Sequence, residues 1–217
     1  MAEGIARELE NALVAPVMRP GLSAHHRHFP GTIYLRPETF RMVLQDYVSS
    51  LARHGFRDLV LLSSHGGNTD TMIAETPFLA RQVSNTIRVH MMSLPTGGQQ
   101  GEMEREVAAI YEGEGVTRPQ AGVHSGWDET SRMLAYRPEL VAMERAAEGR
   151  ADADFYHPDR IRRSQLESFV KGIKYQSDNG ILGDARGGNA AAGQRLQAIS
   201  FRHKAAEIRA EIERLDS

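Results

Sequence analysis

The stretch DLVLLSSHGGN, residues 58–68, constrains this chain more than any other. Leu59, Val60, Leu61 and Leu62 follow one another with no polar interruption, as in a strand buried on both faces. Such strands belong to parallel sheets covered by helices, so the stretch points to an α/β chain. The run then stops at Ser63-Ser64 and gives way to His65, two glycines and Asn68. Ligands of open parallel sheets bind beyond the carboxyl ends of the strands, which sets His65 at the functional rim. Gly66 and Gly67 let the backbone turn sharply beside the imidazole, and Asn68 can fix the loop or cap the next helix. A structural histidine in a tight turn is the competing reading.

The pattern around this strand alternates. Residues 2–13 read as a helix with Ile5, Leu9 and Leu13 on one face, and LVAPVM (13–18) is a short apolar run closed by Pro20-Gly21. Pro37 opens a helix whose stripe is Phe40, Val43, Leu44, Tyr47, Val48 and Leu51, and Gly55 stops it. A helix over 70–83 is expected to kink or split at Pro77, and TIRVHMMS (86–93) is the next strand. Residues 101–112 predict a helix, and DETSRMLAYRPELV predicts another, capped by Asp128 or Thr130 with Pro138 near its end. Residues 144–176 are polar and weakly periodic, and 177–194 form a glycine-rich loop. The last segment is an amphipathic helix through Leu196, Ile199, Ala206, Ile208, Ile212 and Leu215. With no internal repeat and no dividing linker, a single domain over residues 1–217 is expected.

Composition narrows the chemistry. A hydrophobic fraction of 41% supplies a core, and 26 basic against 28 acidic residues give no electrostatic case for nucleic acid or an anionic membrane. No apolar run reaches membrane-spanning length and the start does not resemble a signal peptide, so a soluble cytoplasmic protein is expected. The absence of cysteine excludes disulfides, cysteine–zinc sites and thiol nucleophiles.

Three stretches can carry chemistry. His65 ends the strand. HSGWDETS (124–131) gathers His124, Asp128 and Glu129 beside Trp127, the sole tryptophan. A carboxylate at a helix start is commonly a cap, and a tryptophan commonly core; yet a histidine plus a carboxylate from a second loop is the donor set of a divalent-metal site without sulfur. AHHRHFPGT (24–32) places His25, His26 and His28 close together, a chelating loop or simply a polar one. The glycine-rich stretch lacks the Gly-Lys-Ser/Thr ending of a phosphate loop, and no G-x-S-x-G elbow is present.

Taken in order, HFPGT (28–32), LARHGF (51–56), LVLLSSHGGN (59–68), HSGWDETSRMLAYRPELV (124–141) and GILGDARGGNAAAG (180–193) resemble the creatininase family. The resemblance implies a three-layer α/β/α sandwich around a mostly parallel sheet. It also implies two divalent ions, zinc or manganese, and hydrolysis of a C–N bond in a linear or cyclic small-molecule amide. Homo-oligomers, possibly hexamers in this family, are implied as well. By position, His65 matches a metal-binding histidine. Glu129 matches the carboxylate of the family's E-T-S motif, a metal ligand or catalytic group, and His124 matches a catalytic histidine beside the substrate. Trp127, Asp128, His28 and Asn68 are the remaining candidates for the substrate pocket. Creatinine hydrolases carry a glutamate ligand where this chain has Gly67, which argues against creatinine itself. The family's N-terminal E-x-H-G…D segment has no counterpart here, so the chain is expected to resemble the family without that part. A metal-free binding or scaffold protein on the same fold is the rival expectation.

Overall fold

The computed structural model describes residues 1–93, 101–157 and 159–217. In chain order these form α1 (Ala2–Leu9), α2 (Pro37–Leu51), β1 (Asp58–Ser63), α3 (Gly66–Val83), β2 (Arg88–Ser93) and α4 (Glu102–Gly113). There follow the single turn α5 (Arg118–Ala121), α6 (Trp127–Tyr136), α7 (Ile161–Lys171), the single turn α8 (Ile173–Gln176) and α9 (Ala190–Asp216).

β1 and β2 pair in parallel, Asp58 opposite Arg88 through to Ser63 opposite Ser93. Side chains alternate across such a sheet, and here both faces are apolar because both are covered. Leu59, Leu61, Val89 and Met91 pack on Phe40, Leu44 and Val48 of α2 and on Met72 and Leu79 of α3. Val60, Leu62 and Met92 face the other way, onto Ile5 of α1 and Ala205 and Ile208 of α9. The result is the expected α/β/α sandwich, with two strands among the described residues. Asp58 clamps its N-terminal edge, accepting from Arg88 Nε at 2.7 Å and pairing with His90 Nε2 at 2.8 Å. Among the described residues, no helix is long and apolar enough to cross a membrane.

A second core lies beyond the sheet, where Ile110 and Tyr111 of α4, Trp127 of α6 and Ala192, Leu196 and Ile199 of α9 meet. Here α6 and α9 approach so closely that a Cβ on Gly193 would run into the Ser131 carbonyl and lie 2.9 Å from Arg132 N.

Several elements differ from the sequence expectation. α1 ends at Leu9, where Glu10 turns left-handed (φ 66°), and Leu13 is left 82% exposed. α3 starts at Gly66, four residues early, and runs unbroken through Pro77. The carbonyl that loses its partner there belongs to Ile73, on the exposed face where water can serve it. Farther along α9, Ala205 is buried and its neighbour Ala206 is exposed. α7 lies within the weakly periodic region, where the exposure of Leu166, Phe169 and Val170 blurs its pattern.

Replacing Gly193 by alanine gains about 1 kcal/mol of helix propensity. The collision with α6 outweighs that, and Gly193→Ala is expected to lose about 1–3 kcal/mol net, read from the midpoint of urea unfolding.

Candidate metal centre

His65 is the residue between β1 and α3. Its backbone is extended (φ −129°, ψ 121°), and its carbonyl accepts from Asn68 N at 3.1 Å and from Ser63 Oγ at 2.9 Å. The histidine loop is brought to it by the same turn. Asn68 Oδ1 accepts from Leu22 N at 2.8 Å, and Leu35 N donates to Gly21 O at 2.8 Å, closing the loop base. Thr32 Oγ1 donates to Phe29 O at 2.9 Å and to His26 O at 3.0 Å, so F-P-G-T folds back under the histidines.

This places His25, His26 and His65 together, one ring nitrogen from each lying within 4.8 Å of the others. His25 stacks on His65 with centroids 5.4 Å apart and meets the edge of Phe169 at 4.7 Å. His25 is only 6% exposed and forms the back of the cluster. His65 Nε2 lies 3.2 Å from Ser23 Oγ and 3.3 Å from Leu22 O, which fix the ring. Gly67 is required at this spot: a Cβ there would collide with Leu22 O and lie 2.6 Å from His65 Nε2 and 2.7 Å from His25 Cε1.

The second loop arrives by another route. His124 pairs antiparallel with Leu182 of the glycine-rich stretch, Leu182 N donating to His124 O at 2.8 Å. The glycines of that stretch serve this approach: Gly183 lies so near Gly122 and Gly126 that a Cβ on it would be 2.8 Å from either Cα. The His124 ring stands 4.6 Å from that of His26. Ser125 takes a left-handed backbone (φ 52°), and its N–H donates to Glu129 Oε2 at 2.6 Å. That oxygen is 4.0 Å from His124 Nδ1. A cavity of 440 Å³ opens over these groups, with His26, His65, His124, Ser125, Phe29, Asn179 and Gly180 on its walls.

Burial, then the nearby His26, His65 and His124, lower the His25 pKa to about 3. Burial, then His124 and His65, lower that of His26 to about 4. Burial and then His65 also lower His124. These rings are therefore neutral at pH 7, the form that binds metal. Glu129 keeps 55% of its side-chain surface open but sits in a recess. That enclosure pushes its pKa up despite the Ser125 N–H.

Four pocket candidates lie elsewhere. Trp127, 3% exposed, is in the α4/α6/α9 core, its Nε1 donating to Gly187 O at 2.9 Å. Asp128 is turned inward, accepting from Tyr111 Oη at 2.6 Å and Arg132 Nε at 2.5 Å. Neither it nor Thr130 caps α6, whose cap is Gly126. Asn68 is occupied by Leu22. His28 is exposed and lies against Gly172. Sequence reasoning missed the Ser125 N–H, whose left-handed φ leaves no residue-type signature, and the Asn179-Gly180 wall, signalled only as a turn.

The fold is a layered α/β fold in which three imidazoles that could hold a metal ion gather beyond the end of a parallel strand. The chain belongs to the creatininase family: the family model described as creatinine amidohydrolase matches residues 1–207. The mycofactocin precursor peptide peptidase of Mycobacterium tuberculosis is 29% identical over 198 residues, 91% of this chain and 65% of that protein. That of Mycolicibacterium smegmatis is 27% identical over 188 residues, 87% of this chain and 63% of that protein. Creatinine amidohydrolase of Pseudomonas putida is 29% identical over 153 residues, 63% and 54% of the two chains. The chain thus spans a little under two thirds of the peptidases it matches. Among solved structures, one titled "Creatininase Mn" superposes with TM-score 0.71 at 24% identity over 97% of this chain and 79% of its own. A creatininase mutant titled Zn–Zn type gives 0.69 at 25% identity, with the same coverage.

The lowered histidines set a pH dependence. The unfolded chain protonates them near their ordinary value of about 6.5, before the folded chain does. Stability of the metal-free protein is therefore full above that value and falls as pH drops toward about 4 and then about 3, the folded values of His26 and His25. Unfolding midpoints taken from about pH 7 to about pH 5 should decline, and more shallowly in a His25→Gln/His26→Gln double variant.

Proposed function

We propose that this chain is a metal-dependent amidohydrolase that cleaves the C–N bond of a linear or cyclic amide. The observation that carries the reading is the convergence of His25, His26 and His65 from two separate loops, with His26 and His65 lining one cavity. The donors fit a divalent ion: three imidazoles, partly buried, the His65 ring beside Leu22 O and Ser23 Oγ and the His25 ring against Phe169. An ion held there would supply Lewis-acid activation of water and of the amide carbonyl.

The remaining steps fall to the chain's own groups. Ser125 N–H occupies Glu129 Oε2, which leaves Oε1 to take a proton from the attacking water. The enclosure that raises the Glu129 pKa brings it nearer to working pH and so makes it a better proton carrier. His124, on the cavity wall and 4.0 Å from Glu129, orients the substrate as a neutral imidazole, and the proton that Glu129 takes from the water passes to the leaving nitrogen as the C–N bond breaks. A cavity of 440 Å³ suits a small amide or the end of a peptide. Gly67 leaves no room for the glutamate that the creatinine reaction uses at this position, which favours other amides.

His65→Ala should lose both metal uptake and turnover, and an active His65→Ala protein would end this reading. Glu129→Gln should keep its metal and lose about 10²–10⁴ in kcat. The two are separated by elemental analysis alongside a screen of small amides and short peptides.

A further inference from the structure

Resting on the reading above for the case of a peptide amide, we infer that the outer face of α7 is a docking surface, which holds an acidic and apolar stretch of polypeptide beside the cavity. Three observations lead there.

First, α7 turns an apolar stripe to solvent. Leu166, Phe169 and Val170 are three and four apart and so share one face, and they are 61%, 43% and 71% exposed. The helix is seated by its other side, where Ser168 is buried and its Oγ donates to Ser164 O at 3.0 Å. Tyr175 of α8 is 63% exposed, and Lys171 Nζ at 4.4 Å from its ring centroid joins it to the end of the stripe. Contiguous apolar side chains left in water mark a surface that meets a partner.

Second, the stripe is bracketed by positive charge. Residues 160–175 carry five cations and one carboxylate, in a chain whose net charge is −2. Arg160 is taken by Asp154, and Arg163 and Lys171 share Glu167 at 3.8 and 3.9 Å. Arg162 and Lys174 make no ion pair among the described residues. Arg162 stands one turn before Leu166, and Lys171 directly follows Val170. The partner that complements this face carries carboxylates among apolar side chains. A second copy placed symmetrically on it would set cation against cation, which is unfavourable.

Third, the face leads to the cavity. The Phe169 ring meets the edge of His25 at 4.7 Å. Past Gly172, Lys174 Nζ stands 5.9 Å from the ring centroid of Phe29, which is on the cavity wall. The C-terminal end of α7 is therefore the end at the cavity, and Arg162 and Arg163 mark the far end. The eleven residues of α7 span about 16 Å, the reach of about five residues of extended chain. A small amide cannot use such a length, and a peptide can.

The test is fluorescence anisotropy of the full chain with a labelled peptide of about eight residues, in which glutamate alternates with leucine and phenylalanine. The glutamate peptide should bind at least about tenfold tighter than its lysine counterpart, and about 0.5 M salt should erase the difference. The preference should reverse in Arg162→Glu/Arg163→Glu. Leu166→Ser/Val170→Ser changes only exposed side chains and should weaken binding at least about tenfold. Both variants should leave kcat for a small amide unchanged. Equal affinity for the two peptides, no binding of either, or an unreversed preference in the charge variant overturns the inference. A dimer that Leu166→Ser/Val170→Ser splits, seen by sedimentation, assigns the face to a second copy and overturns it too. Binding of phosphatidylserine vesicles through α7 with no binding of the peptide assigns it to a membrane and likewise overturns it. Glutamate-selective binding with no turnover of any amide supports the docking surface and overturns the amidohydrolase reading instead.

Discussion

Everything at the centre depends on one close approach: the turn after β1 against the backbone of Leu22. Asn68 takes the Leu22 N–H at 2.8 Å, and Gly67, lacking a side chain, lets the Leu22 carbonyl come down beside His65. Without that contact, His65 would end a strand and His25 and His26 would sit on an unconnected loop. The tie joins the Asn68 side chain to the Leu22 backbone. It fixes the loop from its first residue, and the Thr32 bonds to Phe29 O and His26 O fix it from the other end.

The sheet supplies the frame for this tie. Two parallel strands covered on both faces hold the β1–α3 turn in place, because their apolar residues, Leu59 to Leu62, Val89, Met91 and Met92, are packed on one side or the other. The second half of the cavity is held independently, by the pairing of His124 with Leu182 and by glycines that bring two backbones together. Trp127 links this half to the core through Gly187. The centre is therefore a meeting of two supported loops, and a change in either moves groups relative to the other.

The sequence made some of this legible and left some of it hidden. The strand ending in His65 could be read, since a continuous apolar run followed by His-Gly-Gly-Asn has few other folds. The layered class and family motifs were readable for the same reason, local pattern matching global role. The triad was not. His25, His26 and His28 are alike in sequence, and only the Leu22–Asn68 tie, formed across 46 residues, selects the first two. Trp127 and Asp128 misled in the opposite direction: although beside Glu129 in sequence, they turn inward on a helix, toward Gly187 and Tyr111. Glu129 and Trp127 are two apart, and on a helix that spacing puts them on different faces. α7 stayed hidden because its apolar residues are exposed, and periodicity reports burial alone.

The central claim is that the two loops build one ion site from His25, His26 and His65. An anomalous-difference map of crystals grown with zinc, recorded on either side of the zinc absorption edge, tests it most directly. The account predicts one strong peak among these three rings, beside the cavity wall formed by His124. A peak elsewhere, or none in zinc-saturated crystals, would contradict it.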